Sequence, residues 1–395
     1  MKPAMQIAFA VFDDIPDGAA VAHRTQMLAT GLASLGHEVH IIAPFKFSPG
    51  PLTGEIDGVK LHWGAYIERN AANTTWARVR KRLLMYNTCQ RLLRQGLDWL
   101  IIYDMGMEGL PFLLLGKIAG CRVAADNCDI SFLFKQNSLL GLWYVISDRI
   151  GHLLVSPHLD LNFAISTGIE EYLRRRVPQV PRVRVGAPID THKFQPREKE
   201  AAAFRQKYGL QGVPVIGYFG SVWAVKGLKV LLEAAHKLLG SGKPFKLLIT
   251  GNAARNALLI GLINDLGLKD KVVLTGFLAS DDLISAMSVP DILVEPKIDH
   301  DENRASFPQK LAEYLAMGKP IVASAIGDIP RFLHDRENAL LCRPGDPDSL
   351  AAALIKLIED PGLREKLSIE ARETAKRYLD CRIIAAKIEA ALFNI

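Results

Sequence analysis

Four stretches of the chain carry residue types suited to holding a charged ligand. In "YFGSVWAVKGLKVLLEA" a strand-like run ends at Gly220 and Ser221, and Lys226 and Gly227 open an amphipathic helix. Glycines let a backbone approach an anion, and a helix start offers unpaired N–H groups at the positive end of its dipole. A lysine there suits a phosphate; a lysine that merely faces solvent is the simpler alternative. The G-x-x-x-x-G-K-[ST] phosphate loop is absent. "ITGNAARNALL" and "LTGFLASDDLISAM" repeat the strand–glycine–helix junction at Gly251 and Gly276, with Ser280 or Asp281 as a cap in the second. Three such junctions on one sheet would outline a nucleotide site.

The fourth stretch, "SFPQKLAEYLAMGKPIVAS", runs from Ser306 to Ser324. Phe307, Leu311 and Leu315 repeat at helical spacing and predict a packed face. Ser306 reads as the N-cap, Phe307 and Pro308 as the first turn, and Gly318 as the end. Glu313 falls off the leucine seam, together with Ser306, Gln309, Lys310 and Met317. Helical side chains lean toward the N-terminus, so its carboxylate would lie roughly 8–10 Å behind an anion at the helix start. That is the reach from a diphosphate to the ribose hydroxyls of the same nucleotide. A surface glutamate in a well-formed helix is the alternative.

Positioning these groups needs a sheet whose strands end side by side, and the chain supplies the pattern twice. "QIAFAVF" reads as a first buried strand, followed by the helix "AAVAHRTQMLATGLASLG" and by the strands "HEVHIIAP", "DWLIIYD" and "RVAAD". The polar stretch "RVRVGAPIDTHKFQPRE" reads as a linker. The strand–helix rhythm then restarts at "VPVIGYFG" and continues to "PIVAS". The fold class is therefore α/β, two Rossmann-like domains facing across a cleft, with boundaries at 1–190 and 191–377. A chain of 395 residues agrees with two domains. In such sheets ligands bind beyond the carboxyl ends of the strands.

Composition narrows the class. The chain is 49% hydrophobic and 23% charged, and no stretch has the roughly 18–20 apolar residues of a membrane span. Five scattered cysteines show no zinc or redox spacing, which points to a reduced, cytoplasmic protein. The net charge is +6, and a segment without acidic residues carries Arg78, Arg80, Lys81 and Arg82. Either this is a solvated helix face, or it is drawn to an anionic membrane surface. Aromatic residues do not interleave with the arginines in a nucleic-acid-binding pattern, so no nucleic acid is expected as a partner. The apolar stretch "SFLFKQNSLLGLWYVISDRIGHLLV" reads either as core or as a helix pair facing an acceptor or lipid.

"GSVWAVKGLKVLLEA", "ITGN", "VVLTGFL", "DILVEP" and "FPQKLAEYLAMGKPIVAS", in this order and spacing, resemble the GT-B glycosyltransferases of the large family four. "GLASLGHEVHIIAP" resembles that family's first helix and second strand. The resemblance implies transfer of a sugar from a UDP- or GDP-linked donor with retention of configuration. It implies no metal and no other cofactor, and a last helix, within 378–395, that packs back on the N-terminal domain. Carried over by residue, Lys226 would neutralise the leaving diphosphate and Glu313 would bind the ribose. Gly220, Ser221, Gly251, Asn252, Ser306, Phe307 and Pro308 would line the donor site, and Phe277 and Leu278 would flank the base. Gly18 would belong to an interdomain loop, and Asp129 would contact acceptor or donor unless it is a helix cap. The expected acceptor is a glycan or lipid-linked glycan of cell-surface polysaccharide synthesis, used by an enzyme peripheral on the inner face of the membrane.

Two departures stand out. The first of the family's paired glutamates would fall at Ala305, with Glu302, Arg304 or His300 as substitutes, and the arginine that usually follows the phosphate-loop glycine is Ser221. They motivate a second hypothesis, a catalytically silent GT-B protein acting as partner or regulator. A third is a sugar-nucleotide epimerase on the same fold, which would need acid and base carboxylates that the sequence does not identify. Asp299–Asp301 and Asp346–Asp348 mimic a metal-binding D-x-D, but the latter also reads as a helix cap.

Overall fold

A computed structural model describes residues 3–13, 15, 20–46, 49–66, 75–103, 106–128, 139–220, 226–251, 253, 256–278 and 280–395, with the backbone alone at 20, 75–81, 139–141, 143, 144, 280 and 281. Two compact units share the chain: Met1–Pro188 with Cys381–Ile395, and Ile189–Asp380.

The first unit contains β1 (Gln6–Ala10), α1 (Ala20–Ser34), β2 (Glu38–Lys46), β3 (Thr53–Ile56), β4 (Val59–Tyr66), α2 (Thr75–Leu93), β5 (Trp99–Tyr103), α3 (Leu110–Ile118), β6 (Arg122–Asn127), α4 (Leu139–Leu154), β7 (Leu161–Ala164), α5 (Thr167–Arg176) and β8 (Arg182–Arg184). Its eight-stranded sheet runs β3–β4–β2–β1–β5–β6–β7–β8 and is parallel except where β3 meets β4. Strands covered on both faces become continuous apolar runs, as in Trp99–Ile102, all buried. The expected linker begins instead as the last strand of this sheet. Val183 and Val185 face the core while Arg182 and Arg184 stay partly exposed, an alternation that the polar composition hides.

The second unit contains α6 (Glu198–Lys207), β9 (Val215–Phe219), α7 (Leu228–Gly240), β10 (Lys246–Thr250), α8 (Ala257–Asp265), β11 (Val272–Gly276), α9 (Ser280–Met287), β12 (Ile292–Glu295), α10 (Asp301–Ala305), α11 (Gln309–Ala316), β13 (Ile321–Ser324), α12 (Ile329–Phe332), β14 (Leu340–Cys342), α13 (Pro347–Glu359) and α14 (Pro361–Tyr378). Six parallel strands stand in the order β11–β10–β9–β12–β13–β14. The chain therefore builds outward from β9 to β11, then returns to start the other half at β12. Helix α7 shows why it forms here: Leu228, Leu231, Leu232, Ala235 and Leu238 make one apolar stripe against the sheet. Asp346 caps α13, accepting from the Ser349 N–H at 2.9 Å.

Beyond α14 the chain forms α15 (Cys381–Phe393), which belongs to the first unit and packs on α1. The helices meet so closely that a Cβ on Gly31 would lie 2.3 Å from the Cys381 carbonyl oxygen. The five cysteines are buried and form no disulfide among the described residues, where no helix is long and apolar enough to cross a membrane.

Candidate active site

The second sheet reverses its strand order between β9 and β12, so the carboxyl ends of these strands frame a crevice. β9 ends at Phe219, followed by Gly220, and β12 ends at Glu295, followed by Pro296 and Lys297. Gly227 caps α7 in the left-handed region at φ 78°, and a Cβ there would meet the Pro296 carbonyl oxygen at 1.5 Å. Only glycine lets the helix start sit this close to the end of β12. Gly251 likewise has φ 107°, with the Gly220 carbonyl oxygen 2.3 Å from where its Cβ would be.

Helix α11 lies almost wholly buried beside these ends, and it begins later than the sequence suggested. Ser306 does not cap it. Its N–H donates to the Glu302 carbonyl at 3.0 Å and closes α10, a short helix that the sequence reading missed. Phe307 and Pro308 are the extended bridge between the two helices, with Phe307 edge-on to Phe332 and Pro308 in the N-cap position of α11. The reason is local: α10 already uses the Ser306 amide, and Pro308 offers no N–H. Tyr314 ties α11 to the sheet, its hydroxyl oxygen accepting from the Phe219 N–H at 2.9 Å.

Glu313 is not a surface residue; it is 8% exposed. Burial pushes its carboxyl up to about 7, against the pull of Lys310 and with the push of Glu295. Lys226 forms an ion pair with Glu302, and the Glu302 N–H donates to His300 Nδ1 at 3.2 Å. Of the residues considered as substitutes for the glutamate missing at Ala305, only Glu302 therefore joins Lys226. Arg304 is taken up by Asp299 and Asp301 on the surface.

The sequence reading missed three charged groups. Glu295 is fully buried, Lys310 approaches its Oε2 at 3.0 Å, and Lys297 lies 3.7 Å from Oε1. Burial lowers Lys297 to about 8, with Lys226 and Lys310 adding to the effect against the carboxylates of Glu295 and Glu302. Two signals were present in the sequence: a glutamate that ends the apolar strand "DILVEP", and a lysine three positions before Glu313 on one helix face.

The structure thus gathers Gly220, Lys226, Gly251, Ser306, Phe307, Pro308 and Glu313 around one set of strand ends. Phe277 is 79% exposed and stands with Leu278 just beyond the edge strand β11. Gly18, Asp129, Ser221 and Asn252 lie outside the described residues, as do the side chains of Arg78, Arg80 and Lys81. Arg82 is matched by Glu108 in an ion pair, so its charge is already partnered. No group of three or more His, Cys, Asp or Glu among the described residues is arranged to hold a metal ion.

Residues 200–374 match the family described as Glycosyl transferases group 1. The alpha-D-kanosaminyltransferase of Streptomyces kanamyceticus is 29% identical over 198 residues, covering 49% of this chain and 50% of the relative. The chain spans about half the length of the curated relatives it matches. Two solved structures align along nearly its whole length. The sucrose-phosphate synthase of Thermosynechococcus elongatus has a TM-score of 0.77 at 18% identity, covering 99% of this chain and 98% of that one. Anabaena HepE, in complex with UDP and glucose, has a TM-score of 0.73 at 18% identity, covering 99% and 100%. The chain has the GT-B fold of these structures, and residues 200–374 match the group 1 family model; these relatives and structural neighbours are glycosyltransferases.

Proposed function

We propose that the chain is a retaining glycosyltransferase that moves a sugar from a nucleotide-diphosphate sugar to a glycan or lipid-linked glycan in cell-surface polysaccharide synthesis. The observation that carries this reading is the meeting of Lys226, the helix start at Gly227 and the buried Glu313 at the switch point of the second sheet, inside the family-matched segment. Departure of the nucleotide leaves negative charge on the diphosphate. Lys226 and the first N–H groups of α7 would receive that charge, the largest single demand of the reaction. Donor binding would exchange the diphosphate for Glu302 on Lys226, freeing a carboxylate to meet sugar hydroxyls where Ala305 cannot. Glu313 would accept from the ribose diol, with Phe277 and Leu278 beside the base. The chemistry needs no metal and no other cofactor in this reading, and the neighbour bound to UDP and glucose favours a UDP-sugar.

On the acceptor side, Gly18 and Asp129 remain the proposed contacts. Leu114 and Ile118 on α3 and Leu142, Ile146 and Leu153 on α4 are exposed, which supports a lipid-linked acceptor. With the basic sequence of the α2 segment, they favour a cytoplasmic enzyme peripheral on the inner membrane surface. Neutralising Arg78, Arg80, Lys81 and Arg82 should abolish binding to anionic vesicles; undiminished binding would remove the membrane part of the proposal.

The first test is a thermal-shift screen of UDP-, GDP- and ADP-sugars on wild type and Glu313→Ala. One nucleotide class should stabilise the wild type, and the variant should lose the effect. If no nucleotide stabilises the wild type, the silent GT-B reading, motivated by Ala305 and Ser221, takes its place. Isomerised donor without acceptor would instead mark an epimerase.

A further inference from the structure

Glu295 ends β12 at the switch point, and neither of its carboxylate oxygens has an aligned hydrogen bond among the described residues. Ammonium groups flank it on two sides. Lys297 also donates to Asn303 Oδ1 at 3.0 Å, which anchors it to α10. Lys310 points the other way, across the sheet. Its Nζ stands over the Tyr218 ring, 4.1 Å from the centroid, and 3.4 Å from where a Cβ on Gly220 would be. Its ammonium therefore stands beside the glycine that follows β9, a partly buried position where no side chain separates it from the backbone.

We propose that Lys310 is a second cation of the anion site, held on Glu295 so that its ammonium meets a phosphate group brought to Gly220. The inference rests on the reading of this crevice as a diphosphate site. It accounts for Ser221, which leaves the strand-end loop without the arginine that the resemblance implies: Lys310 brings the charge to the same glycine from α11. It also accounts for a buried carboxylate with two cations beside it. Glu295 keeps Lys310 charged and in place while the site is empty, and an incoming phosphate supplies the partner that one carboxylate cannot give to two lysines.

Calorimetric titration of the full chain with inorganic pyrophosphate, against Lys226→Met, Lys310→Met and the double variant Glu295→Gln with Lys310→Met, tests this. The double variant removes both buried charges together and covers the case in which Lys310→Met alone does not fold. Pyrophosphate should bind about ten- to a hundredfold more weakly to each Lys310 variant, the loss of one charge-assisted contact. Glu295→Gln alone should melt lower than wild type, yet gain more melting temperature from pyrophosphate. If the folded Lys310 variants bind pyrophosphate as wild type does while Lys226→Met loses it, Lys310 only neutralises Glu295 and the inference is overturned. If wild type itself binds neither pyrophosphate nor UDP, the diphosphate reading falls, and this inference with it.

Discussion

Each unit buries an arginine or lysine against a carboxylate, and the two arrangements differ in kind. In the first unit Arg24, on α1, meets Asp126, on β6, through two hydrogen bonds of 2.8 Å, and it also donates to the Gly186 carbonyl. Both side chains are about 2% exposed. Burial works against the guanidinium charge, but Asp126, together with Cys128 and Tyr103, outweighs it and raises the pKa further. This pair is closed, with each charge matched and each geometry satisfied. In the second unit Glu295 has two lysines and no aligned bond, and Lys226 leans on a half-buried Glu302. The contrast teaches that burial alone does not mark a site: the matched pair of Arg24 and Asp126 holds the fold, whereas the cluster around Glu295 is where the proposed phosphate would bind.

Four changes would break or sharpen this contrast. The largest effect should come from Arg24→Met, which strands Asp126 and should cost about 3–5 kcal/mol of unfolding free energy in a denaturant titration. A loss near zero would mean that the closed pair is not structural. Next, Lys226→Met should slow sugar transfer by roughly 10²–10³-fold with little change in melting temperature, since Glu302 retains access to solvent. Collapse of the fold would instead place Lys226 in the same class as Arg24.

Glu313→Gln should act in the opposite direction on stability. The folded carboxyl titrates near 7 rather than 4.5, so the native state holds its proton longer than the unfolded chain. Wild-type stability must therefore fall as pH rises from about 4.5 to 7, then stay low. Facing it, Lys310 opposes this shift and Glu295 deepens it. The glutamine variant escapes the fall and should be more stable above pH 7, by up to roughly 3 kcal/mol, while nucleotide affinity drops. Unfolding curves of equal slope with pH for both proteins would refute this. The smallest effect belongs to Asn256→Ala, which removes the cap that accepts from the Leu259 N–H at 3.1 Å and should cost about 1 kcal/mol without touching turnover.

The fold was legible because parallel sheets covered on both faces write themselves as apolar runs between amphipathic helices. "DWLIIYD" became β5 and "FKLLITG" became β10 for that reason. β8 was not legible, since three residues with two arginines carry no such run. The hairpin of β3 and β4 was missed as well, an antiparallel pair at the edge of a parallel sheet with largely exposed residues in β3. In the site, Lys226 and Glu313 stood out by position relative to glycines and helix starts. Glu295 and Lys310 did not, because their meaning comes from a contact between elements 15 residues apart in sequence (295 to 310) that pairs only once β12 and α11 pack. The start of α11 was misjudged because the serine, phenylalanine and proline that suit an N-terminus also suit a bridge between two helices.

The return of α15 has a consequence for how the chain acquires its structure during synthesis. Ile384, Ala385, Ile388 and Leu392 belong to the core of the first unit, although they follow the whole of the second unit in the chain. The second unit is one uninterrupted segment, and all of its core residues are made before those of α15. The first unit, begun earlier, keeps the α1 surface around Gly31 uncovered until α15 emerges. The usual vectorial order is thus inverted: the unit made earlier is the one whose apolar surface needs protection longer.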